Sequence, residues 1–298
     1  MSKKRIATLV AVLLLAGAGL YVAYRRSWHR GAPTTSTYPA GAGSSTPSPA
    51  LREPGAHGKP GAAATEGGKA RVSTAETGLI LRPGETLEFA ANVTKLDSTV
   101  ANLKILVREK RDLAGKSVWH LQAFAHTENP YRMVFELDDQ FDSYSDPVDF
   151  TSHQYEMHLS ERGQKVDSIQ RIFASAKDPA PPGVTAARVL PETRDPLGFL
   201  HYLRNVDWNK TPEVHSPVYD GHKLYQVRAE LKSKSQSVSV PAGDFNTTKI
   251  EIHVFDNGSE TKDAHFFLYL ANDPMRIPVL VEAVLPVASA RVELTKAK

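Results

Sequence analysis

Apolar side chains along residues 86–295 recur chiefly at every second position, in runs parted by polar turns that contain glycine or proline. The last stretch shows the pattern most clearly. Phe266, Phe267, Leu268, Tyr269 and Leu270 form one run, Asn272-Asp273-Pro274 breaks it, and 276–284 resumes it. Beyond it, Ala288, Ala290, Val292 and Leu294 share one face, while Ser289, Arg291, Glu293 and Thr295 share the other. Period-two patterning on both sides of a polar turn predicts antiparallel strands with one face buried and one wet. The same reasoning predicts strands over 86–94, 96–108, 118–125, 153–159, 165–174, 224–231, 237–240 and 249–255. Turn signals at Arg162-Gly163, Asp220-Gly221, Pro241-Ala242-Gly243 and Asn257-Gly258 separate several of them.

Two helix starts interrupt the strands. Asn129-Pro130 and Asp195-Pro196 each set a capping side chain before proline at the first helical position. After the first, Met133, Val134, Leu137 and Phe141 recur at helical spacing. After the second, a helix over 197–205 is apolar nearly all round, apart from a stripe of Gly198, His201, Arg204 and Asn205. The fold class is therefore mainly β, antiparallel, with one or two short helices.

The N-terminal quarter follows other rules. Lys3-Lys4-Arg5 precedes an uncharged run over 6–24, whose nineteen residues make a helix about 28 Å long, close to bilayer thickness. Tyr21, Tyr24, Arg25 and Arg26 resemble an interfacial stop, which favours an uncleaved membrane anchor. Ala16-Gly17-Ala18 supports the alternative, a signal cleaved after Ala18. From 27 to 77, Gly, Ala, Pro, Ser and Thr dominate, and such a segment buries too little surface to offset its conformational entropy. The chain thus divides into an anchor or signal segment (1–26), a disordered linker (27–77) and a β domain (78–298).

Charge and composition narrow the function. The net charge is +3, but six basic residues fall in the first thirty, so the remainder is slightly acidic and no nucleic-acid partner is expected. The absence of cysteine removes disulfides, thiolate catalysis and Cys-ligated zinc. The eleven histidines include no His-Glu-x-x-His and no pair three or four apart on a predicted helix. His153 and His158 point to opposite faces of one strand, and His253 and His265 lie on separate strands. The acidic run Asp138, Asp139, Asp142, Asp146 and Asp149 lacks the glycine and closing glutamate of a calcium loop and is expected to solvate a helix end and loop. No Gly-x-Ser-x-Gly elbow or phosphate loop occurs. Neither metal nor cofactor nor catalytic residue is assigned. The candidate binding residues are Arg204, Asp273 and Arg276, with Arg204 at a helix C-terminus where its charge is favourable and Asp273 as its candidate partner.

Taken in order, Gly84-Glu85, the helix Asp195-Pro-Leu-Gly-Phe-Leu-His-Tyr-Leu-Arg204, Val240-Pro241-Ala242-Gly243, Asn272-Asp273, and Arg276-Ile277-Pro278-Val279 carry a family likeness. So do the closing Leu285-Pro286-Val287-Ala288-Ser289 and Val292-Glu293-Leu294. In these motifs the chain resembles the bacterial envelope family called domain of unknown function 3108, over 84–294. The resemblance implies an exported, mainly antiparallel domain, a curved sheet or half-barrel like periplasmic lipoprotein carriers. It implies no reaction. Ala288, where the family has a turn glycine, departs from its pattern.

Together these readings lead us to expect a membrane-tethered, non-catalytic bacterial envelope protein with an extracytoplasmic domain. Its partners would be the membrane, through the N-terminal helix, and a lipid or lipoprotein bound as an apolar or amphipathic ligand on the curved β surface. One alternative is a structural or assembly module with no ligand cavity; a second is an uncharacterised hydrolase.

Overall fold

Strands with one apolar and one polar face satisfy their backbone groups only by pairing side by side, and here fourteen of them join one sheet. The computed structural model describes residues 80–94, 96–134, 136–173, 182, 184–260, 265–284 and 289–298. The expected membrane segment, the linker, and residues 285–288 lie outside them. The strands are β1 (Thr86–Val93), β2 (Leu96–Leu113), β3 (Lys116–Thr127), β4 (Asp138–Ser145), β5 (Ser152–Glu161), β6 (Gln164–Phe173) and β7 (Thr185–Arg188). After the helix α1 (Pro196–Asn205) come β8 (Glu213–Tyr219), β9 (Leu224–Val240), β10 (Gly243–Asp256), β11 (Ser259–Glu260), β12 (His265–Ala271), β13 (Pro278–Val284) and β14 (Ser289–Ala297).

Their order is β7-β6-β5-β4-β3-β2-β1-β14-β13-β12-β10-β9-β8, with β11 on β10. Every pairing is antiparallel except β6 with β7. The sheet is two meanders stitched together by its first and last strands, with Leu87 opposite Ala297 and Val93 opposite Ala290. Its two ends also meet. Arg194 bridges Val218 of β8, its N–H donating to the Pro217 carbonyl at 3.1 Å while its own carbonyl accepts from Tyr219 N–H at 2.8 Å. Gln170 of β6 donates to the Gly221 carbonyl at 2.7 Å and accepts from the Tyr219 hydroxyl at 2.7 Å. A single sheet whose opposite ends touch has to curve strongly, which gives it an inner and an outer face.

The inner face is the apolar one. Phe89, Leu103, Leu121, Phe141, Val227, Ile252, Leu268 and Val292 are all buried and belong to one core. Helix α1 lies in that core, with every residue from Pro196 to Arg204 buried. Ten residues make too short a helix to persist alone in water. Burial of Leu197, Phe199, Leu200, Tyr202 and Leu203 holds it, at about 1.5–3 kcal/mol for each large apolar side chain. A void of about 20 Å³ remains between Leu200 and Leu203 of α1 and Phe89, Leu103, Ile252 and Leu268 of the sheet.

The structure corrects several expectations. Asn129-Pro130 opens only a single 3-10 turn, Tyr131–Met133, with no side-chain cap. Met133 and Val134 are 87% and 77% exposed, so no apolar face exists to stabilise a helix there. Leu137 and Phe141 instead face the core from a bridge to Glu161 and from β4. The acidic run therefore lies partly in a strand, with Asp139 and Asp142 buried rather than solvating a helix end. Strand β8 escaped sequence reading because Pro217 interrupts it, and proline is tolerated there since β8 is the last strand of the sheet. Strands expected separately at 224–231 and 237–240 are one, β9; the polar run between them, 232–237, has no buried residue, and Val238 beyond it returns to the core. Among the described residues α1 is the one α-helix, and no helix is long and apolar enough to cross a membrane.

Since the core is organised around α1, Phe199→Ala should lower the unfolding free energy by about 3–5 kcal/mol. Met133→Ala should change it by less than about 0.5 kcal/mol. Urea denaturation followed by circular dichroism measures both.

Candidate functional site

A helix buried on all sides leaves its unpaired terminal N–H and C=O groups far from water, so side chains have to meet them. At the N-terminus Asp195 does so. One carboxylate oxygen accepts from Leu197 and Gly198 N–H, each at 2.9 Å, and the other from the hydroxyls of Ser143 and Ser152, each at 2.5 Å. Burial pushes the Asp195 carboxyl above the usual range, and these four donors work against the rise. Glycine at 198 lets the helix approach the β4–β5 connection, since a Cβ there would stand 2.8 Å from the Phe150 carbonyl oxygen.

The C-terminus carries Arg204, whose guanidinium is 1% exposed. It does not pair with Asp273. Nη1 and Nη2 donate to the two oxygens of Glu85 at 2.7 and 2.9 Å, and Nη2 also donates to the Met275 carbonyl at 3.1 Å. Glu85 is positioned just ahead of β1 by the turn at Gly84, where φ is +87°. A buried pair of this kind, with both oxygens used, orients its elements more than it stabilises them. Nδ1 of His201 lies 3.1 Å from Arg204 Nη1, and its ring stacks on Phe150 with centroids 6.2 Å apart. Burial, with a further contribution from Arg204, holds His201 well below the ordinary histidine range, so the ring is neutral and accepts from the guanidinium through Nδ1.

Asp273 and Arg276 belong to the same end of the molecule by another route. Asp273 closes the β12–β13 turn, its carboxylate accepting from Met275 and Arg276 N–H, each at 2.8 Å. Arg276, at φ +43°, donates to the carbonyl of Val206, the residue that ends α1, at 2.8 Å. Asn205 accepts from Ile80 N–H at 3.1 Å, which ties the start of the described chain to the same point. The three predicted residues are thus gathered around one helix end, with Glu85, His201 and Asn205 added. Gly84-Glu85 stood out in the sequence as a motif, but only the fold reveals its carboxylate beneath α1. Arg204, Glu85 and His201 are buried and linked through the guanidinium, while Asp273 is exposed, and Nε2 of His201 and Nε of Arg204 have no hydrogen-bond partner.

Two polar clusters on the outer face have donor spacing that could hold an ion: Asp142 with Glu156 and His158, and Glu230 with Glu251 and His253. In the first, Asp142 already accepts from His120 Nε2, Gln122 and Gln140, each at 2.6 Å. Burial raises its pKa, but these three donors together hold it below the usual carboxylate range. In the second, Glu251 reaches both His253 and His265, an apposition of separate strands that the sequence does not reveal.

Arg204→Met leaves Glu85 buried without a partner and should cost about 3–5 kcal/mol. Arg204→Met combined with Glu85→Leu should recover most of that loss, whereas additive losses in a double-mutant cycle would rule out the pairing. Below about pH 6.5 the unfolded chain protonates residue 201 and the folded chain does not. Stability should therefore fall as the pH drops from 6.5 towards the depressed folded value. In His201→Asn, which keeps an acceptor but cannot protonate, thermal unfolding between pH 7 and pH 5 should show a smaller fall than in the parent.

Comparison with solved structures finds distant likenesses. A β-barrel-like protein of the domain of unknown function DUF1849 from Brucella abortus shares 11% identity, with TM-score 0.46, over 72% of this chain and 97% of that one. A candidate lipoprotein from Parabacteroides distasonis shares 15%, with TM-score 0.33, over 73% and 96%. A candidate exported protein with a YmcC-like fold from Bacteroides fragilis shares 12%, with TM-score 0.34, over 73% and 96%. No curated protein matches the chain significantly. The model of one family, Protein of unknown function (DUF3108), matches residues 92–295, which is most of the chain and nearly all of its β domain, and the chain belongs to that family.

Proposed function

We propose that this chain is a non-catalytic module of the bacterial cell envelope, tethered to a membrane through residues 6–24 and a leash over 27–77, and that it works through its surfaces. The observation that carries this reading is the occupation of the sheet's inner face by α1. The void left beside it, about 20 Å³, is far below the roughly 300–1,000 Å³ of a small-molecule site. The polar groups around the helix support the same reading, because the hydrogen bonds of Asp195, Arg204 and Arg276 run to α1 or to the elements it packs on. The tether is supported by the basic start of the chain, the bilayer-length apolar run that follows it and the Gly/Pro/Ser-rich stretch beyond. The length of that leash gives the domain a reach of roughly 40 Å from its anchor, enough to meet partners within the envelope.

A second reading keeps the tether and makes the domain a carrier, with α1 swinging out to admit an acyl chain against Phe89, Leu103 and Leu268. The wholly apolar lining of the void favours it. Native mass spectrometry of residues 78–298, exported to the bacterial envelope and purified without detergent, separates the two. The surface-acting module should appear at the mass of the bare chain. A phospholipid or lipoprotein adduct that survives gentle desolvation would replace this reading with the carrier.

A further inference from the structure

We propose that the outer face of β9 and β10 carries a site for a divalent transition-metal ion of the zinc class, with His253, Glu230 and Glu251 as protein ligands. Glu230 and Glu251 stand directly opposite each other in the β9–β10 register. Like charges in that position repel, so the pairing calls for a cation between them. His253 lies two residues along from Glu251 on the same face, and its Nε2 is 3.5 Å from a Glu251 oxygen and 3.7 Å from a Glu230 oxygen. A tetrahedral ion with bonds of about 2.0–2.2 Å sets its ligand atoms about 3.3–3.6 Å apart. The two separations from Nε2 therefore need to close by at most a few tenths of an ångström, and all three ligand atoms already lie within 4.8 Å of one another.

The histidine itself supplies the second observation. Its Nδ1 lies 2.6 Å from the Glu260 carboxylate, which binds the ring hydrogen there and turns the lone pair of Nε2 towards the two other carboxylates. Nε2 is buried and has no hydrogen-bond partner. A carboxylate behind the ring and a free nitrogen in front form the oriented ligand that zinc sites use. Two cations stand nearby, and one of them bridges the two carboxylates. Arg228, opposite His253, is drawn aside to Glu213 at 3.8 Å and to the Phe255 ring at 5.9 Å. Lys232 reaches Glu230 at 3.0 Å and Glu251 at 2.8 Å but makes no contact with Nε2. Its ammonium holds the two carboxylates together and competes with an ion for them. His265, whose Nδ1 is 3.3 Å from the other Glu251 oxygen, is within reach as a fourth ligand. The Asp142 cluster lacks this arrangement, because the oxygens of Asp142 are already taken and none of its three members has an orphaned nitrogen.

The test is titration calorimetry of the untagged full-length protein with Zn²⁺ alone, backed by the visible spectrum of Co²⁺ as a coordination reporter. One ion per chain is expected, with an intense four-coordinate Co²⁺ band. His253→Ala should weaken Zn²⁺ binding at least tenfold and abolish the band while leaving the metal-free circular-dichroism spectrum unchanged. Lys232→Met should tighten binding several-fold by removing the competing ammonium. Failure of both the parent and Lys232→Met to bind Zn²⁺ would overturn the proposal, as would binding that His253→Ala leaves intact.

Discussion

A helix sunk into a sheet on every side must bring its polar ends into the core with it, and this constraint governs the domain. The apolar body of α1 packs on the inner face of a sheet of fourteen strands whose ends touch, and a void of about 20 Å³ remains beside it. The cost of that packing falls at the helix termini. Asp195 meets the first N–H groups, while Arg204, Arg276 and Asn205 fasten the last turn to β1, to the β12–β13 turn and to the beginning of the described chain. Because Glu85 and Arg204 are charged and dry, each is tolerable only with the other present, and this makes the location of α1 a matter of register as well as of hydrophobicity.

From this follows a division of labour between faces. The inner face holds the helix, so the surface the β domain offers its surroundings is its outer face and its rims. The outer face is not merely a solvated back. Histidines, glutamines and carboxylates along β3, β4 and β5 form a buried hydrogen-bond network, and a second polar group sits on β9 and β10. The two differ at the carboxylates: the oxygens of Asp142 are taken up by His120, Gln122 and Gln140, whereas Nε2 of His253 faces two carboxylates without a hydrogen bond.

Much of the architecture was legible in the sequence because local signals agreed with the tertiary outcome. The Asp195-Pro196 cap, the Arg162-Gly163 and Asn257-Gly258 turns and the inward face of Ala290, Val292 and Leu294 all lie where the pattern placed them. The failures share a cause. At Asn129-Pro130 a genuine cap-and-proline signal was outweighed by ladder partners on β3 and β5, which claimed 138–145 as a strand. The middle of β9, 232–237, has no buried residue to mark an apolar period, and pairing with β10 keeps it extended. At the helix end the sequence named Arg204, Asp273 and Arg276 but not the partner of the arginine. Glu85 lies 119 residues away, and a contact of that separation leaves no mark in local periodicity.

The central claim is that α1 is a fixed part of the core, held by its clasps, and not a lid. Native-state hydrogen exchange of the α1 amides, compared with those of β1 and β14, tests it most directly. A fixed helix exchanges only when the whole domain unfolds, so its amides and those of the two central strands should share one opening free energy and one dependence on denaturant. Exchange of α1 through a smaller, denaturant-insensitive opening, while β1 and β14 stay protected, would contradict the account.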